Sequence, residues 1–230
     1  MKKILIIAVG LILALGLSFA PIPVKATPIL DFNMDATHPA TASISYAGGS
    51  APLVGVDISV DKVELIGVLG SARTIFGGDL DFTTGNLTGF NPSTWYFGSG
   101  GSITLVGGVD LNNNTVFDGG DIPLGTTLFS GTFSSASVIA FDNNFKIAGA
   151  SFGDVKDPDL LRFYGLPNLP FNGNFNISFN AIGLPPNAFI SNPLGSGDIF
   201  NSPIPEPATM LLLGSGLIGL AGFARKRFKK

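Results

Sequence analysis

The chain contains no cysteine. That excludes disulfides, thiolate metal sites and anchoring through a lipid-bearing N-terminal cysteine. Histidine occurs once, as His38 ahead of Pro39, which is too little for a histidine-built zinc centre. Charge is scarce as well: 13% of the 230 residues are charged and 45% are apolar, with a mean hydropathy of +0.43. Between the two ends no segment repeats its apolar residues every 3.6 positions over three turns, so no long amphipathic helix is expected there. Stability must come from a β core, and some 175 residues between the ends suffice for one, since a domain of ~150 residues buries roughly 68–70% of its unfolded surface.

What charge there is lies unevenly. Lys2, Lys3 and Lys25 fall at the start, and Arg225, Lys226, Arg227, Lys229 and Lys230 at the end. Residues 27–203 keep five basic residues against 15 acidic ones, a net charge of −10. Such a surface repels nucleic-acid phosphates and acidic polysaccharides and attracts cations, so nucleic-acid binding is not expected. Residues 1–26 read as a signal peptide: Lys2 and Lys3, an apolar run from Ile4 to Phe19, and small residues at Val24 and Ala26. Cleavage is expected after Ala26.

The middle reads as β throughout. Val54, Val56, Ile58 and Val60 alternate with Gly55, Asp57, Ser59 and Asp61, which predicts a strand with those four residues buried. Ala42, Ile44 and Tyr46 alternate in the same way, as do Phe175, Ile177 and Phe179. Turn signals such as Gly48-Gly49 and Gly119-Gly120 separate the runs. The expected fold is all-β: an antiparallel β-sandwich or jelly-roll-like body over residues 27–184, its 20 phenylalanines filling the core. Thr74–Leu80 resembles Thr127–Phe133, read as two strands with the same bend. Residues 185–204 hold Pro185, Pro186, Pro193 and Pro203 and read as a proline-rich linker.

Residues 205–230 have a separate logic. Pro205-Glu206-Pro207 precedes an apolar stretch from Ala208 to Ala224, then Arg225-Lys226-Arg227. The stretch is at the low end of what a single transmembrane helix needs, and the basic cluster keeps its end cytoplasmic, so the body faces outward. In order, spacing and position these residues resemble the PEP-CTERM sorting signal of bacteria that possess exosortases and make exopolysaccharide. The resemblance implies export across the inner membrane, a temporary hold through the membrane segment, and processing by an exosortase near Pro205-Glu206-Pro207. It says nothing of the body.

Within the body, "DLNNNTVFDGGD" sets Asp110, Asn112, Asn114, Val116, Asp118 and Asp121 at positions 1, 3, 5, 7, 9 and 12 of a calcium loop. Hard oxygens at this spacing suit Ca2+, although Thr115 replaces the usual glycine and Asp121 the usual glutamate. The same residues also suit a solvated turn. Asp154, Asp157 and Asp159 form a second acidic group, expected in an exposed loop. Ser151 stands in a G-x-S-x-G setting, but the lone histidine lies upstream of it, and a strand of small residues explains it better. Glu64 is the single glutamate of the body, expected on a solvent-facing strand position. Trp95 and Tyr96 could stack on a sugar or belong to the core. "FNGNFNISFN" is expected as an inner strand, with pairing to another chain as the competing reading. No cofactor is required by these residues, and no catalytic set emerges. The expected function is an exported structural or interaction protein of the cell surface or extracellular matrix, associated with polysaccharide. The alternatives are a carbohydrate-binding module or a secreted hydrolase.

Overall fold

The computed structural model describes residues 28–142, 144–191 and 194–204. The signal peptide and the transmembrane helix read from the sequence lie outside the described residues, as do Pro205, Glu206, Pro207, Arg225, Lys226 and Arg227. Among the described residues no helix is long and apolar enough to cross a membrane.

The strands are β1 (Leu30–Met34), β2 (Ser43–Tyr46), β3 (Pro52–Ser59), β4 (Lys62–Leu65), β5 (Arg73–Asn91) and β6 (Thr94–Phe97). They continue as β7 (Gly100–Val109), β8 (Ile122–Phe141), β9 (Asn144–Lys156), β10 (Phe171–Asn180), β11 (Phe189–Ile190) and β12 (Leu194–Pro203). One short helix, α1 (Pro158–Phe163), follows β9. Asp157 caps it, its carboxylate accepting from the backbone N–H groups of Asp159 and Leu160 at 2.9 Å each.

Every pairing is antiparallel, and the sheet closes. The path runs β5–β4–β1–β12–β10–β9–β8–β7 and returns to β5. The two layers of the expected sandwich are therefore one continuous sheet, joined by strand pairing. β5 and β8 are long enough to serve two neighbours on one flank: each pairs with β7 and then with β6. The similar segments Thr74–Leu80 and Thr127–Phe133 lie on these two strands, on opposite flanks of β7, and the register shifts in both ladders. From β3, β2 and then β11 extend outside the ring.

Alternation along β10 puts Phe171, Phe175, Ile177 and Phe179 into the core and the asparagines outward. β10 lies between β9 and β12, so "FNGNFNISFN" is an inner strand. Strand β3 departs from its predicted alternation. Leu53, Gly55 and Ile58 face inward, while Val56 is 38% exposed. The register shifts between Gly55 and Ile58, where Asp57 adopts a left-handed backbone (φ 53°). This bulge exchanges the two faces of the strand partway along. Gly55 is on the core side because the Phe82 ring occupies the space a Cβ would need.

The linker expected at 185–204 requires the larger correction. Residues 194–203 form β12, held by β1 on one side and β10 on the other. Of the linker prolines that lie among the described residues, Pro203 ends the strand, and the Pro185–Pro186 bond, which is cis, precedes β11. The backbone N–H of Ile204, the last described residue, donates to Pro170 O at 2.9 Å. The body thus extends to the residue before Pro205 with no described spacer.

Candidate functional site

Among the described residues, the outer face of β4, β1, β12, β10 and β9 carries a row of hydrogen-bonding side chains. Register fixes the row. Lys62 lies opposite Asn33, Asn33 opposite Asp198, Asp198 opposite Asn176, and on the next step Ser178 opposite Lys146. These residues line a depression of about 430 Å³ together with Ser196 and Asp35. A parallel row places Glu64 opposite Asp31 and Asn174 opposite Ser151. The Asn33 amide bridges the rows, donating to Asp31 Oδ2 at 3.3 Å and to Glu64 Oε1 at 3.4 Å.

Asp31 is 6% exposed, and one of its oxygens, Oδ1, has no hydrogen-bond partner. Burial, then the charges of Asp198 and Glu64, push its carboxyl up from 3.8 to about 6. In the unfolded chain it would titrate at the ordinary value. The folded form therefore binds the proton more tightly, and this contribution to stability is lost as pH rises through about 6. Asp31→Asn is expected to stabilise the protein at pH 7 by about 1 kcal/mol, solvent screening holding down the contribution of the flanking charges. The gain should vanish below pH ~4. Melting curves of both proteins across that pH range check this, and an equal gain at every pH would refute it.

The expected calcium loop joins β7 to β8. Asp110 is fully buried, its oxygens accepting from the backbone N–H groups of Asn114 (3.2 Å) and Thr115 (2.7 Å). Asp121 accepts from the N–H groups of Leu111 and Asp118, each at 2.9 Å. Asp118 gathers the amides of Asn112 (3.0 Å) and Asn114 (2.9 Å) on one oxygen and the N–H of Gly120 (2.8 Å) on the other. Led by Gly120, these donors hold the Asp118 carboxyl below its usual value. Thr115, standing where such loops carry glycine, takes the left-handed backbone (φ 63°). Val116 is 62% exposed, its N–H bound to Asn114 Oδ1. Asp110, Asn112, Asn114, Asp118 and Asp121 are thus brought into one hydrogen-bonded turn.

Other expected residues are placed differently. Trp95 is completely buried against Phe145 and Phe189, so it is core and offers no stacking surface. Tyr96 is 43% exposed, its hydroxyl accepting from Asn91. Ser151 lies within β9, where a nucleophile elbow would need a strand, a sharp turn and a helix. His38 is engaged by Gly195 O and the N–H of Ser59. Asp159 pairs with Arg162 in solvent, but Asp154, expected in an exposed loop, points into the barrel beside Lys156. The reason is β9's alternation, which continues through Asp154 and Lys156 on core-facing positions.

One cluster had little signal in the sequence. Asp57, Asp79 and Asp81 bring carboxylate oxygens within 4.8 Å of one another across β3 and β5. Burial first, then Asp81 and Asp57, raise Asp79. The β3 bulge makes this approach, and spacing along the chain does not reveal it.

The described residues form an antiparallel β body whose last strand, β12, reaches the start of a C-terminal signal. The family model of the PEP-CTERM protein-sorting motif matches residues 203–227, so the chain carries that motif and is an exported protein whose sorting involves an exosortase. No curated protein and no solved structure matches the chain.

Proposed function

We propose that the exported body is a non-enzymatic structural or interaction protein of the cell surface or extracellular matrix, which contacts neutral extracellular polysaccharide. The observation that carries this reading is the in-register row Lys62–Asn33–Asp198–Asn176 on four adjacent strands. Carboxylate, carboxamide and ammonium groups fixed on rigid strands suit sugar hydroxyls, which need many modest hydrogen bonds held in place. The net charge of −10 over residues 27–203 disfavours acidic polymers. Support for the non-enzymatic reading comes from Ser151, which has neither an elbow nor a following histidine. A glycan array probed with the exported protein is expected to show binding to neutral glycans that falls at least tenfold in Asp198→Ala and Asn176→Ala. Unchanged binding in both variants would reject the row, and no binding at all would reject polysaccharide contact.

We further propose that Ca2+ stiffens the β7–β8 loop without being required for folding. Three carboxylates and two carboxamides within twelve residues fit a hard cation, and Asn112 and Asn114 would turn their oxygens toward it. The loop already holds itself closed by its own hydrogen bonds, which supports a modest affinity, on the order of 10⁻⁴–10⁻³ M as in extracellular modules. Calorimetry with calcium should give saturable heat in the wild type and none in Asp118→Ala. Absence of heat in both would end the proposal.

A further inference from the structure

Three polar side chains occupy core-facing positions inside the closed sheet: Asp154 and Lys156 on β9, and Asn201 on β12. Lys156 and Asp154 have no exposed side-chain surface, and Asn201 is fully buried. The Lys156 ammonium donates to Asp154 Oδ2 and, at 2.8 Å, to Asn201 Oδ1, although the two residues are 45 positions apart. Three aromatic rings wall the amine: Phe129 at 4.8 Å, Phe171 at 4.9 Å and Phe32 at 5.4 Å from Nζ. Asp154 Oδ1 has no partner.

A purely structural ion pair explains this arrangement poorly. Two buried charges cost several kcal/mol each in lost hydration, and an apolar pair of similar volume is often as stable or more so. The unpartnered Asp154 oxygen adds to that cost. What the constellation does supply is an amine, an amide carbonyl in contact with it and a carboxylate able to carry a proton, all screened from water.

We propose that Lys156 and Asn201 form an intramolecular isopeptide bond, with Asp154 carrying the proton. Asp154 takes a proton from the Lys156 ammonium, leaving a neutral amine beside a neutral acid. The Nζ lone pair attacks Cγ of Asn201 and the carbonyl electron pair moves to oxygen. Asp154 gives its proton to the amide nitrogen and accepts one from Nζ. The carbonyl re-forms as the Cγ–Nδ2 bond breaks, and Nδ2 leaves as ammonia. No oxidant, reductant or co-reactant enters; one C–N bond replaces another. The products are a neutral amide and a neutral carboxylic acid, so the buried charges are removed. The surroundings favour the first step: burial draws the Lys156 amine down to about 8, against the opposing pull of Asp154, while burial raises Asp154.

The bond would join β9 to β12 across β10, which pairs with both. β12 is the last strand before the sorting motif, so it is the strand that tension on the tail would load first. A covalent tie at Asn201 would pass that load into β9, and this holds whether or not the surface row binds a glycan.

Intact-mass measurement on the purified full chain tests the proposal. The wild type is expected to be lighter than its calculated mass by one ammonia, about 17 Da, and trypsin should fail to cut after Lys156, yielding a branched peptide that contains Asn201. Lys156→Arg keeps the buried cation but cannot be acylated, so it should show full mass with the fold retained. Asp154→Asn should also show full mass, or a deficit that develops at least tenfold more slowly. A folded wild type at full mass, cut by trypsin after Lys156 once unfolded, would overturn the inference. So would the same deficit in Lys156→Arg.

Discussion

A full-length chain lacking residues 194–203 is expected to yield no folded body. Its exported portion should give no cooperative melting transition and should be degraded by protease at concentrations the wild type resists. A proline-rich linker would predict the opposite, an unchanged melt. The difference follows from where β12 sits. It fills the gap between β1 and β10, so its removal opens the ring and leaves two strand edges unpaired in the middle of the molecule. Leu194 and Ile199 leave the core with it, at about 1.5–3 kcal/mol each. The backbone ladders on both flanks go too, against a whole-domain stability of roughly 5–15 kcal/mol. The same geometry bears on sorting. Processing on the N-terminal side of β12 would destroy the fold, so the mature C-terminus is expected at Ile204 or beyond, which mass spectrometry of the exported protein checks.

Much of the fold was legible because a strand with one buried face writes itself as alternation. β2 and β10 are plain in the residues 42–46 and 171–180. β12 escaped because its inward positions read poorly: Gly197, Asn201 and Pro203 alternate with Leu194 and Ile199, and Asn201 reports polarity although it is wholly buried. The signal was present in the spacing of Ile199, Asn201 and Pro203, but only a partner such as Lys156 explains an inward asparagine. Likewise β3 changes faces at Asp57, and no pattern of period two can register a bulge whose cause is a single left-handed residue.

The site was less legible than the fold. The calcium-like turn depends on residues twelve positions apart or fewer, and its six members could be named in advance. The surface row is assembled by registers between β4, β1, β12 and β10, strands that are distant in sequence. Asp31 and Asn33 alternate with Leu30, Phe32 and Met34, which marks a strand but does not say what faces its polar side. Lys156 is one of the body's five basic residues, and nothing in its spacing along the chain shows that β9 carries it inward.

Phe189→Ala is expected to lower stability by about 3–5 kcal/mol, the usual cost of emptying a buried aromatic site. For a domain of this size that is a fall of roughly 10 °C in melting temperature. β11 contributes only two residues to the sheet, so ladder hydrogen bonds explain little of its hold. Its weight lies in the ring of Phe189, which meets Trp95 at 4.9 Å, Phe145 at 5.2 Å, Phe179 at 5.9 Å and Tyr46 at 6.0 Å between centroids. Those four rings come from β6, β9, β10 and β2, so one side chain closes the end of the core where β2 and β11 leave the ring. The contacts with Trp95 and Phe145 are edge-on and that with Phe179 is stacked; aromatic pairs add about 0.5–1.5 kcal/mol each beyond the area they bury. The adjacent Ile190 points outward and is 66% exposed, so Ile190→Ala should change stability by no more than about 0.5 kcal/mol. Thermal or urea unfolding of the two variants side by side decides the matter. Equal, small effects would mean that β11 lies loosely on β2 and that the Trp95 cluster closes without it.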